Sequence, residues 1–137
     1  MSPRERLTIT LTDRPPVTVT TAHWPIVAAA SDSWHDNQYE SQANRRTKWR
    51  LVVRQHADGP AVVYAVYEHD TQFQGERGVD RRGGALLAVK DGKAPDLPAA
   101  IRRVGEALAE RIGGEDGDRM RELIHECVAA LPAETID

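Results

Sequence analysis

From Arg46 to Arg54 the chain reads Arg-Thr-Lys-Trp-Arg-Leu-Val-Val-Arg, and the two parities of this run differ in character. Thr47, Trp49, Leu51 and Val53 share one parity; Arg46, Lys48, Arg50 and Arg54 share the other, interrupted by Val52. Successive side chains of a β-strand point to opposite faces, so the run predicts a strand with one apolar face on a core and one cationic face in water. Alternation of apolar residues with Thr over 7–12 and 17–20, broken by Asp13-Arg14-Pro15-Pro16, predicts an earlier hairpin. Pro25 followed by Ile-Val-Ala-Ala-Ala suits the first turn of a short helix capped from within 21–24; a strand continuing through Pro25 is the alternative. Residues 31–44 are polar, with Trp34, His35 and Tyr39 embedded among Asp, Asn, Gln and Ser.

Ala57-Asp58-Gly59-Pro60 separates the cationic strand from a second β-like run over 61–68. Asp-Gly between such runs is a hairpin signal. Pro60 has no N–H to close a tight two-residue turn, which favours a four-residue loop over 57–60. In that register Val53 faces Tyr64, Leu51 faces Val66, Arg50 faces Tyr67 and Lys48 faces His69, so Tyr67 and His69 join the cationic face. Residues 70–84 hold Phe73, four glycines, Arg77, Arg81 and Arg82, and read as a long mobile loop. Its arginines either close over a phosphate backbone or form a solvated tip diluted by Glu76 and Asp80. A last strand follows over 85–90.

The C-terminal third predicts two helices. Asp96 can cap the first, whose apolar positions Leu97, Ile101, Val104, Leu108 and Ile112 keep helical spacing up to Gly113-Gly114. The second starts at Asp116 or Asp118, carries Met120, Leu123, Ile124, Cys127, Val128 and Leu131 on one side, and stops at Pro132. The expected fold class is therefore α+β: a small antiparallel sheet of four to five strands, a short helix after the second strand, and two C-terminal helices packed on one sheet face. The second apolar stripe is wide enough to serve a partner chain as well, so a homodimer is expected.

Composition narrows the class. At 137 residues the chain is expected to form one domain over 1–137, with 1–5 and 133–137 disordered. Cys127 is the single cysteine and cannot form an internal disulfide, which fits a reducing compartment. No apolar run approaches membrane-spanning length and the N-terminus has no signal-peptide apolar region, so a soluble cytoplasmic protein is expected. Residues 1–40 hold three Lys/Arg against five Asp/Glu (−2), residues 41–93 ten against six (+4), and residues 94–137 five against ten (−5). A basic middle beside an acidic tail says more about a partner than the net charge does.

Catalytic signatures are missing. The adjacent pairs His35-Asp36 and His69-Asp70 point to opposite faces on a strand, and no His-Glu-x-x-His or paired-cysteine spacing occurs. Cys127 on an apolar helical stripe reads as a buried structural thiol. There is no Gly-x-Ser-x-Gly, and the glycines do not take phosphate-loop spacing. No catalytic residue, metal, cofactor or small-molecule substrate is therefore expected. A metal-dependent nuclease using Glu40, Glu68, Asp70 and the arginines stays open as an alternative, because metal-binding carboxylates converge in space rather than in sequence.

The segments Trp24-Pro25-Ile26-Val27, Asp36-Asn37-Gln38-Tyr39-Glu40, Gln55-His56-Ala57-Asp58-Gly59 and Phe73-Gln74-Gly75-Glu76 resemble a family of small conserved hypothetical proteins. These are carried on plasmids and integrative conjugative elements of proteobacteria, and the resemblance spans about residues 7–110. It implies a small homodimeric nucleic-acid-binding protein, a regulator or accessory factor of a mobile element, and it assigns no functional residues.

The resulting expectation is a nucleic-acid-binding protein, with DNA favoured over RNA and no membrane partner. Arg46, Lys48, Arg50 and Arg54 would contact phosphates from the sheet, with Tyr67, Arg77, Arg81 and Arg82 as secondary contacts. The alternative is a protein-interaction module acting through the Trp34/Tyr39 segment or the acidic helices.

Overall fold

In the computed structural model, residues 5–9, 15–39, 43–71, 78–88 and 95–132 are described; for strand residues 35–39, 43–45, 71, 78–81 and 85–88 the description is of the backbone alone. The expected disordered ends, 1–4 and 133–137, lie outside the described residues; Glu5 is described. Two short strands, β1 (Arg6–Ile9) and β2 (Val17–Thr20), pair as an antiparallel hairpin. Four longer ones, β3 (Ile26–Tyr39), β4 (Ala43–Gln55), β5 (Ala61–Thr71) and β6 (Gly78–Ala88), form an antiparallel sheet in chain order. Helices α1 (Leu97–Ile112) and α2 (Gly114–Ala129) complete an α+β fold.

The apolar parity of β4 decides the layering. Trp49, Leu51 and Val53 are buried with Val63, Ala65 and Tyr67 of β5 against the stripes of α1 and α2, including Ile101, Val104, Leu108, Met120, Leu123, Ile124 and Cys127. Asp96 caps α1 through a hydrogen bond from the Ala99 N–H (3.1 Å), and Gly113 at φ 72° ends it. The helices approach closely because α1 carries Gly105, where a Cβ would lie 2.4 Å from Cγ1 of Ile124. Both stripes pack on the sheet within one chain, with Leu97, Ile112, Val128 and Leu131 left partly buried at the margins of this core.

The other sheet face is covered over part of its length. Ile9 and Val19 of the hairpin pack on Val52, Val62 and Tyr64, flanked by Leu7, Val17, Trp24 and Val66. Val52, the apolar interruption in the cationic parity, is the fully buried point at which the hairpin lands.

Three expectations are corrected. No helix follows β2: residues 26–30 begin a strand that pairs with β4, Ala28 opposite Val53 and Ala30 opposite Leu51. Helix propensity of an alanine run is a weak preference, and tertiary pairing overrides it here. Ala28 and Ala30 point to the helix side, where their small size lets α2 come close to β3. Most of the expected 70–84 loop is strand as well: β5 runs to Thr71 and β6 begins at Gly78, while 72–77 lie outside the described residues.

The third correction concerns register. Lys48 stands opposite Glu68, Trp49 opposite Tyr67 and Thr47 opposite His69, one residue away from the expected pairing. The His56 N–H donates to the Pro60 carbonyl (2.8 Å) and the Gly59 N–H to the His56 carbonyl (2.9 Å). Gly59 takes φ 111°, a conformation that strongly favours glycine. This is a three-residue loop, in which a turn is followed by a glycine of positive φ. Proline suits it because the Pro60 N–H would have no ladder partner. A one-residue slip exchanges the faces of every β5 side chain.

A candidate nucleic-acid interface on the outer sheet face

With the register corrected, Tyr67 leaves the cationic face. It is buried on the helix side, its ring 6.2 Å from that of Trp49, and its hydroxyl donates to Oδ2 of Asp116 at 2.6 Å. Trp49, expected on the core parity, is indeed buried, and its indole N–H donates to the Asp116 carbonyl (3.0 Å). Arg82 also lies on the helix side: its Nη1 donates to the Arg111 carbonyl (2.5 Å), and Arg111 Nη1 donates back to the Gly83 carbonyl (2.9 Å). That exchange ties β6 to the end of α1. Arg77 lies outside the described residues, and of Arg81 only the backbone is described, paired opposite Glu68.

What remains on the outer face is compact. Arg46, Lys48 and Arg50 project from β4 at alternate positions, all exposed, roughly 6.6–7 Å apart from one to the next. Ser31 and Ser33 of β3 lie opposite Arg50 and Lys48. On the β5 side, Asp70 stands opposite Arg46 and Glu68 opposite Lys48, while Arg50 faces Val66. The cationic face therefore receives two acids from β5, in place of the expected Tyr67 and His69. Among the described residues, however, no ion pair or hydrogen bond engages the side chains of Arg46, Lys48 or Arg50. The helices, which carry the acidic tail, pack on the opposite face. Part of the acid on that side is paired: Arg119 of α2 bonds Asp32 of β3 (2.6 Å) and Glu122 (2.7 Å), holding the Asp32 carboxyl below its usual range, and Arg121 bonds Glu106 (3.1 Å).

Arg54, on the same parity, behaves differently. Past Val52 it is half-buried under the hairpin, with Nε donating to the Tyr64 hydroxyl (3.1 Å) and Nη1 to the Trp24 carbonyl (3.0 Å). Between β1 and the sheet is a cavity of about 600 Å³, walled by Leu7, Ile9, Tyr64 and Val66 and edged by Arg50 and Arg54. Gly83, the outward position of β6 opposite Val66, also lines it and contributes no side chain. Tyr64 and this cavity were not anticipated. The available signal was Gly59, whose positive φ closes a three-residue loop and puts Tyr64 on the outer face; the missing N–H of Pro60 is compatible with either loop length.

Other candidate chemistry finds no assembly. His69 turns inward, where its Nδ1 lies 2.9 Å from the Thr47 hydroxyl, and Asp70 turns outward. Among the described residues no three His, Cys, Asp or Glu side chains converge as metal ligands; Glu40 lies outside them. Cys127 is buried, and burial pushes its thiol up to about 11. No helix is long and apolar enough to cross a membrane. No protein-family model, curated protein sequence or solved structure matches the chain.

Proposed function

We propose that the protein binds nucleic acid, DNA in the first place, across the open half of its outer sheet face. The observation that carries this reading is the row Arg46, Lys48 and Arg50: three exposed cations at regular spacing, with no partner among the described residues. Unpaired cations in a row suit a polyanion, and a sheet surface is a platform on which nucleic-acid strands are commonly held. Glu68 and Asp70 lower the local potential, so the expected binding is moderate and strongly dependent on salt. Arg54 is half-buried and bonded to two neutral acceptors, the Tyr64 hydroxyl and the Trp24 carbonyl, and is left out of the exposed row.

An anisotropy titration of the protein against labelled DNA at several salt concentrations tests the proposal. Three phosphate contacts give a slope of log affinity against log salt of about −2.1 on a single strand and about −2.7 on a duplex. Binding that ignores salt, or no binding at low salt, would reject it. The protein-interaction reading rests on Trp34, which is 49% exposed on the helix side of β3. An apolar contact there would respond little to salt.

A further inference from the structure

We infer that the cavity beneath β1 holds one unstacked nucleotide of a bound strand, with its base among Leu7, Ile9, Tyr64 and Val66 and its phosphate between Arg50 and Arg54. This rests on the nucleic-acid reading of the outer face and adds a site to it.

Three features of the cavity select that occupant. Its volume, about 600 Å³, falls within the range of pockets that enclose small organic ligands. Its walls are mostly apolar, and one of them is the Tyr64 ring, which suits a flat heterocycle better than a hydrated ion.

The third feature is Arg54. It is half-buried, yet its hydrogen-bonding partners are a phenol and a backbone carbonyl, both neutral. Those two bonds use Nε and Nη1 and fix the plane of the guanidinium. Among the described residues nothing engages the rest of the fork. A cation withdrawn from water is normally met by an anion, and among the described residues no carboxylate meets it. Arg50 stands two outward positions along the same strand with no partner among the described residues, and both arginines line the cavity, so an anion held there would lie between two guanidinium groups.

Position joins the cavity to the cationic row. Arg50 belongs to both: it is the last exposed cation of the series that starts at Arg46, and it edges the cavity. A strand running along the row reaches the cavity at Arg50. A base entering there must leave its stack and its pairing partner, so single strands are favoured over duplex. Gly83 keeps the space open, and its replacement is constrained: a Cβ there would lie 3.1 Å from the Ala65 carbonyl.

The test compares two ligands of equal charge: a single-stranded DNA of about 12 nucleotides and the same backbone made abasic throughout. On the wild-type protein the normal strand should bind about tenfold tighter than the abasic one, the worth of one buried, stacked base. Leu7→Trp, which fills the cavity from β1, should bring the normal strand down to the abasic affinity while the salt slope stays the same; a melting curve checks its fold. Equal, salt-dependent affinity of the two strands for wild type would overturn the nucleotide site and leave the phosphate reading standing. A base-dependent gain that survives in a folded Leu7→Trp would put the base elsewhere and overturn the site too. If Leu7→Trp does not fold, the wild-type comparison decides alone. Failure of both strands to bind at low salt would remove the nucleic-acid reading, and this inference with it.

Discussion

Removing one oxygen atom distinguishes the observed register from the one expected of the sequence. In the structure the Tyr67 hydroxyl is directed at the α2 end, where it donates to Oδ2 of Asp116 at 2.6 Å from a ring that is itself buried. Tyr67→Phe keeps the ring beside Trp49 and deletes the hydrogen bond to Asp116. A hydrogen bond to a charged group contributes about 1.5–3 kcal/mol, and Asp116 is half-buried, so water can partly replace the lost donor. The lower end, about 1.5–2 kcal/mol, is expected, which for a domain of this size lowers Tm by roughly 5–10 °C. Were Tyr67 on the cationic face, the change would be a surface one, worth about 0.5 kcal/mol or less. Thermal melts of wild type and Tyr67→Phe give the first number. Asp116→Ala and the double variant close a cycle whose coupling should come to about 1–2 kcal/mol. A Tyr67→Phe melt superimposable on wild type would refute the inward placement and return Tyr67 to the outer face.

Two smaller predictions follow from the ionisable groups. Burial raises the Cys127 thiol to about 11, so a thiol reagent at pH 8 should leave it unmodified in the native state and label it fully in denaturant. Rapid native labelling would contradict its burial. Asp32 is held below its usual pKa by the hydrogen bond from Arg119 and then by the Ser33 N–H. A depressed folded-state pKa stabilises above the unfolded value, near 3.9, and loses that contribution as pH falls through the lowered one. Asp32→Asn should therefore lower Tm slightly at pH 7 and have no effect near pH 2; because the pair is solvent-screened, the difference should stay below about 1 kcal/mol. An equal deficit at both pH values would mean that the ion pair is not its cause.

The legible parts of the fold were those where one physical signal acted alone. Trp49, Leu51 and Val53 alternate with charges and are core. The stripe from Ile101 to Leu108 and the Asp96 cap specify α1, because an amphipathic helix announces both its face and its start. Residues 31–36 concealed a strand, since this end of the edge strand β3 mixes polar residues into both faces and leaves no apolar alternation to read. Ala28 and Ala30 concealed another part of it, because small residues chosen for close approach to α2 also favour helix. The candidate site was half legible. Arg46, Lys48 and Arg50 were visible from parity, whereas the loss of Tyr67 and the gain of Tyr64 both depend on a single residue of turn geometry at Gly59. Val52 carried unread information: an apolar residue inside a charged parity marks the place where another layer covers it.

The measurement that bears most directly on the account is the salt dependence of single-stranded DNA binding by Lys48→Ala/Arg50→Ala. Both side chains are exposed and unpartnered among the described residues, so the double variant should melt like wild type. With Arg46 alone left of the exposed row, the slope of log affinity against log salt should flatten from about −2.1 to about −0.7, and affinity at low salt should fall with it. A folded double variant that keeps both the wild-type affinity and the wild-type slope would contradict the assignment of this face to nucleic acid.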